Sequence, residues 1–196
     1  MSTWQRLRDN LYEVPVLPRT LVLWSLFMVL LWTVFTAGWI THLEAWVNVP
    51  PVEREAGWPV FWYILRNNFL IVGMISAGNV FVRFGRFTPG LLILGMQALV
   101  IGWTAGTNGF VDPFPSIAAA NEAFLRIGLW ETTAYVLICS ATFNESMLVA
   151  DTFPAVKWTK VTPWNEIRLT FAEIVVSLLA ILSLLGAAYG EAFLPI

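Results

Sequence analysis

Charge is scarce in this chain. Only 12% of its 196 residues are Asp, Glu, Lys or Arg, about half the 25% usual in a soluble domain. Eleven basic and thirteen acidic residues leave a net charge of −2. That is no basic field for nucleic acid, and the balance is too even to name a charged partner. Cysteine occurs once, as Cys139, and histidine once, as His42. A single thiol excludes an intrachain disulfide, and one thiol with one imidazole is too few soft ligands for zinc. Internal repeats and low-complexity tracts are missing as well, so neither a repeat array nor a disordered chain fits.

What is abundant is apolar. Hydrophobic residues make up 58% and aromatics 15%, with 11 Trp and 14 Phe, and the mean hydropathy is +0.70. The hydrocarbon core of a bilayer needs about 20 helical residues per crossing. Five stretches meet that length: about 21–40, 62–81, 89–110, 125–143 and 169–189. Unbroken apolar runs favour helices over the alternating strands of a barrel. The first stretch is too long and lacks the small-residue cleavage site of a signal peptide, so it reads as a retained span. The expected fold is all-α: a single polytopic domain of five transmembrane helices over residues 1–196.

Basic residues set the expected orientation. Arg6, Arg8 and Arg19 precede the first span, Arg83 and Arg86 follow the second, and Lys157, Lys160 and Arg168 precede the fifth. Arg54, Arg66 and Arg126 fall on or near the other side. The positive-inside rule then puts the N-terminus in the cytoplasm and the C-terminus outside, in a multi-pass plasma-membrane protein. Residues 41–58, with Trp46, Trp58, Pro50-Pro51, Glu53 and Glu55, and residues 107–121, rich in Gly, Pro and Ala, read as interfacial or re-entrant segments on the outer side.

Helices in lipid approach one another through small residues. Gly95, Ala98, Gly102 and Gly106 form such a stripe on the third span, and Gly73 and Ala77 offer one on the second. Spans two and three are expected to pair through them. Charges inside the bilayer need partners or water. Glu131 lies inside the fourth span, and Arg66, followed by Asn67 and Asn68, enters the second at similar depth. An Arg66–Glu131 pair would satisfy both. In the fifth span Glu173 and Glu191 sit on one face but 18 residues apart, about 27 Å along a helix, too far for a two-carboxylate site.

No nucleophile sits beside an evident base, no Gly-rich phosphate loop follows a strand, and His42 stands alone. Nothing points to an enzyme, a metal or a cofactor. A non-enzymatic scaffold or accessory subunit is expected, with the lipid bilayer and protein partners, or a second copy, around it. The alternative is a small transporter or channel whose polar path runs by Arg66, Asn67, Asn68, Gln97, Asn108 and Glu131. A pigment- or quinone-associated subunit rests on the aromatic content alone.

Three blocks resemble the stage II sporulation protein M family. Arg66-Asn67-Asn68, with Gly73 and the Gly-rich third span behind it, is similar to that family's Asn-Asn segment. Gly128-Leu129-Trp130-Glu131-Thr132-Thr133-Ala134 resembles its His-Gly-x-x-Glu-Leu-Pro-Ala motif. The closing Ala187-Ala188-Tyr189-Gly190-Glu191-Ala192-Phe193 resembles its Ala-Ala-Phe-x-Glu-Ala-Phe ending. Gly128, Glu131, Ala134 and Glu191 are the matching motif positions, whereas Arg126-Ile127 and Thr132-Thr133 replace the family's Pro-His and Leu-Pro. The resemblance implies a five-span membrane scaffold, which in spore formers recruits peptidoglycan-remodelling proteins.

Overall fold

The computed structural model describes residues 11–50 and 55–194; Arg6, Arg8, Pro51, Glu53 and Arg54 lie outside them. Helices dominate. Three begin with clear start signals. Helix α1, Val16–Thr41, follows Pro15. Helix α2, Trp58–Phe81, starts after Gly57, whose φ of 107° needs a residue without Cβ. Helix α3, Pro89–Gly106, has proline in its first turn and is capped by Thr88, whose hydroxyl accepts from Leu91 N at 3.1 Å.

The next helical stretch has three parts. A short helix α4, Ile117–Ala123, runs into a π-helical turn, Phe124–Gly128, and then into α5, Leu129–Thr142. The last helix, α6, Phe171–Phe193, opens with a complete capping box between Thr170 and Glu173. By length and hydropathy α1, α2, α3 and α6 are long and apolar enough to cross a membrane. The expected span at about 125–143 is not among them: α5 is 14 residues long, about 21 Å, and its apolar window is interrupted by Glu131, Thr132 and Thr133.

The physical reason is burial. Tyr135, Val136, Cys139, Ser140 and Ala141 of α5 are fully enclosed, because α5 packs against α1, α2, α3 and α6 together. A helix surrounded by protein can bond its polar side chains to its neighbours, as Ser140 does with Thr20 and Tyr135 with Asn68. Its neighbours show the opposite pattern: Leu21, Leu26 and Val29 on α1 and Ile174, Leu178 and Leu182 on α6 turn outward.

The chain is not purely helical. Three short strands, β1 Val82–Phe84, β2 Leu148–Ala150 and β3 Thr159–Lys160, form a sheet in the order β1-β2-β3. β1 runs parallel to β2, with Arg83 opposite Val149, and β2 antiparallel to β3, with Val149 opposite Thr159. The sheet ties the exit of α2 to the exit of α5. The starts of α1 and α6 lie at that same end, where Arg19 reaches Ser140 and Glu173. Arg19, Arg83, Arg86, Lys157, Lys160 and Arg168 therefore gather at the sheet end. At the distal end, Gly57 N donates to Ala192 O at 2.9 Å.

The glycines pack differently from the expected pairing of spans two and three. The closest helix pair is α1 with α3. A Cβ on Gly102 would lie 2.5 Å from Leu31 O, and one on Gly106 would run into Phe35 O, both on α1. Ala98 is buried on the same face. Gly73 and Gly95 have no neighbour within 4 Å of a Cβ, and Ala77 is only half-buried. Helices α2 and α3 do meet, at the foot of their hairpin, where Gly78 faces the backbone of Gly90. Gly102 and Ala98 are on α3's buried face with Leu94; Gly95 is rotated off it, so the stripe is narrower than the spacing implies.

Candidate functional site

Three polar clusters interrupt the apolar interior. The first is at the sheet end. Arg19, fully buried, donates from Nη2 to Glu173 Oε1 at 3.1 Å and from Nε to Ser140 Oγ at 3.5 Å. Glu173 Oε2 meanwhile accepts from Thr170 N at 2.8 Å, so one carboxylate both caps α6 and neutralises a cation on α1. The guanidinium lies 5.7 Å from the centre of the Phe143 ring, and Tyr12 stacks on that ring at 4.5 Å. Arg83 covers the other aromatic, its guanidinium 4.3 Å from the Tyr12 ring centre. Burial pushes the Tyr12 phenol up to about 12, against the pull of Arg83 beside it.

The second cluster centres on Asn79, fully buried near the end of α2. Its Nδ2 donates to Cys139 O at 3.0 Å and Thr142 Oγ1 at 2.9 Å, and its Oδ1 accepts from Thr88 Oγ1 at 2.5 Å. Ser146 Oγ donates to Asn79 O at 2.8 Å. One amide thus joins α2, the cap of α3 and the end of α5, and every polar atom of its side chain is used.

The third cluster lies toward the distal end. The Tyr135 hydroxyl sits 2.6 Å from Glu131 Oε1 and 2.8 Å from Asn68 Oδ1. Both are acceptors, and the hydroxyl has one proton. With the carboxyl ionised, Tyr135 donates to it; with the carboxyl protonated, Glu131 donates to Tyr135, whose own hydroxyl donates to Asn68 Oδ1. Asn68 also faces the Glu131 carboxyl, and its Nδ2 is buried without a hydrogen-bond partner.

Above Glu131 opens a cavity of about 1040 Å³. Its walls come from α1 (Trp32, Phe35), α2 (Tyr63, Ile64), α3 (Ile101, Ala105), the Phe110–Phe114 turn and the π turn with Phe124. Gly128 and Glu131 form part of its lining, and Glu55, Asp112 and Glu191 are the other carboxylates on it. No Lys, Arg or His belongs to the described lining. The π turn shapes this wall, with the Phe124 ring 2.8 Å from where a Cβ on Gly128 would stand. Asn108, at φ 50°, holds the roof: its Nδ2 donates to Ala45 O and Phe114 O, both at 3.0 Å, and its Oδ1 accepts from Phe114 N. Trp46 Nε1 donates to Gly106 O at 3.0 Å, fastening the 41–58 segment to α3.

The residues singled out from sequence separate accordingly. Asn68 and Glu131 come together through Tyr135. The expected Arg66–Glu131 pair does not form: Arg66 is exposed, and no ion pair among the described residues involves it. Asn67 and Gln97 are half-buried outside the cluster, and Asn108 belongs to the roof. Of the family-motif positions, Gly128, Glu131 and Glu191 line the cavity, while Ala134 is buried in the core beneath it. Sequence reasoning missed Tyr135, Asn79 and the Arg19–Glu173 pair. Tyr135 stands four residues after Glu131, on the same helical face, and that spacing was its one available signal.

The polar groups do not join into a path. Between the Tyr135–Asn68 contact and the Asn79 cluster lie Val72, Ile75 and Ile138, packed in the main hydrophobic core. Among the described residues no group of His, Cys, Asp and Glu is placed to hold a metal ion. In comparisons with known proteins, no family model, no curated protein and no solved structure matches the chain.

Proposed function

We propose that this protein is a non-enzymatic integral membrane scaffold or accessory subunit of a larger complex. One observation carries the reading: the interior polar groups bond within separate clusters, divided by an apolar layer of Val72, Ile75 and Ile138. Buried polar groups bonded to one another across helices lock those helices in register. The helical stretch from Ile117 through Thr142 supplies the fifth crossing in this reading. Its 26 residues (117–142) extend about 39 Å at 1.5 Å each, and its low hydropathy reflects enclosure by the other four helices. The basic sheet end faces the cytoplasm and the cavity faces outside, as the positive-inside rule requires.

The role fits the scaffold function implied by the resemblance to the stage II sporulation protein M family, with Gly128, Glu131, Ala134 and Glu191 as the matching positions. The test is purification from native membranes in mild detergent. A stoichiometric protein partner is expected; a partner-free monomer overturns the reading. Proteoliposomes holding the purified chain should show no solute flux above that of empty vesicles, whereas a flux abolished by Glu131→Gln favours a transporter instead.

A further inference from the structure

We infer that the stretch 153–171, between α5 and α6, is a membrane-surface anchor that takes anionic phospholipid headgroups. The inference needs only that the chain is embedded in a bilayer, whichever side the sheet faces. Phe153, Val156, Trp158, Val161 and Trp164 are all exposed, and so many large apolar side chains on one short stretch mark an interaction surface. Ring contacts fix its height. Trp164 stacks on Phe81, the last residue of α2, with ring centres 6.1 Å apart. Phe153 and Trp158 meet the Phe84 ring of β1 edge-on, at 5.1 and 5.3 Å. Phe171, also exposed, opens α6. Both α2 and α6 are long and apolar enough to cross a membrane. The stretch is therefore pinned where one such helix ends and another begins, continuous with their outward-facing apolar surface. That level is the headgroup layer, where tryptophan rings collect.

The sign of the headgroup follows from the lysines. Between Asp151 and Glu166 the chain carries Lys157 and Lys160 and no acid. Both lysines are exposed, and among the described residues neither forms an ion pair. The sheet end as a whole keeps a cationic surplus: Arg83, Arg86, Lys157, Lys160 and Arg168 outnumber Glu145, Asp151 and Glu166, and the Arg19 charge is already answered by Glu173. A lysine stem can lie along the apolar layer while its ammonium reaches a phosphate. Each lysine held near an anionic membrane surface strengthens attachment about fivefold. A lipid surface suits this mixture of aromatics and lysines better than a protein partner does, because lysine is depleted from protein–protein interfaces.

The test uses the full chain in phosphatidylcholine nanodiscs doped with one of two lipid probes. Both carry the same photoreactive group near the top of one acyl chain; one has a phosphatidylglycerol headgroup and the other phosphatidylcholine. The anionic probe should label peptides covering 153–164 at least about fivefold more than the zwitterionic one. Lys157→Gln with Lys160→Gln should lower that preference to less than about twofold, whereas Arg66→Gln, exposed on the other half of α2, should leave it unchanged. Raising the salt to about 1 M, where screening acts within about 3 Å, should lower the wild-type preference in the same way. If the double variant fails to fold, the wild-type ratio and its salt dependence still decide. Equal labelling by the two probes overturns the inference, as does a preference that survives removal of both lysines. Labelling of 153–164 by neither probe also overturns it and assigns the aromatic surface to a protein partner.

Discussion

Arg19 and Glu173, 154 residues apart in the chain, meet at 3.1 Å with both side chains almost wholly out of solvent. The pair fastens the start of α1 to the start of α6, and Ser140 brings the end of α5 to the same guanidinium. Glu173 also completes the capping box of α6, so removing it breaks a cap and strands a buried cation in one step.

Glu173→Ala should therefore be severe. Leaving an uncompensated buried charge costs about 3–5 kcal/mol, and the loss would be read as a lower midpoint in denaturant titration in detergent. Replacing both residues, Arg19→Met with Glu173→Leu, should recover most of it. A single variant as stable as wild type would mean the guanidinium reaches water.

Two glycines on one helix should behave oppositely. Gly102→Leu puts a side chain where a Cβ already meets Leu31 O at 2.5 Å, whereas Gly95 faces open space. Overpacking on this scale costs about 3 kcal/mol, so Gly102→Leu should lower the melting temperature and Gly95→Leu should not. Equal effects would contradict the close packing of α1 on α3.

Asn79→Ala removes the amide shared by Thr88, Thr142 and the Cys139 carbonyl. Unsatisfied buried partners cost about 1–3 kcal/mol. Asn79→Asp should not rescue the loss, because it lacks the two donors. Thermal melts of both variants in the same detergent check this.

Glu145 gives a pH signature. It lies in the turn after α5, where burial, and next the Glu173 carboxylate, push its carboxyl above the ordinary value of 4.5, while the Arg168 backbone N–H and Arg19 pull the other way. A raised acid binds its proton more tightly folded than unfolded, so this group's contribution to stability is greatest at low pH. It declines as pH rises from the unfolded value through the folded one. Glu145→Gln should therefore raise the melting temperature at pH 7 and change it much less at pH 4. The reverse order would contradict the burial of this carboxyl.

Cys139 is enclosed on α5 beside Asn79. Maleimide should modify it about a hundredfold more slowly in mild detergent than after unfolding in SDS, since access requires local opening of the bundle. Equal rates would show that the α2–α5 interface is open.

How far the sequence could be read depended on what each residue faces. Helices that meet lipid advertise themselves: α1, α2, α3 and α6 are continuous apolar runs, and their presence needed only length and hydropathy. Asn68 and Glu131 were conspicuous because polar groups are costly in an apolar run. Their partner was misjudged, because Arg66, two positions before Asn68, points off the face that α2 turns to α5. Tyr135 was overlooked because a tyrosine in a membrane helix looks like any aromatic until a carboxyl is found beside its hydroxyl.

Composition and apolar periodicity by themselves determined that this chain is a helical membrane protein, since burying so many apolar residues with so little charge is a local and additive property. Tertiary structure alone decided that α5 is the enclosed centre, that Gly102 and Gly106 serve α1, and that Arg19 answers Glu173. Those are relations between distant segments, and the free energy that selects them, whether a close backbone approach or a neutralised buried charge, exists only once the helices have come together.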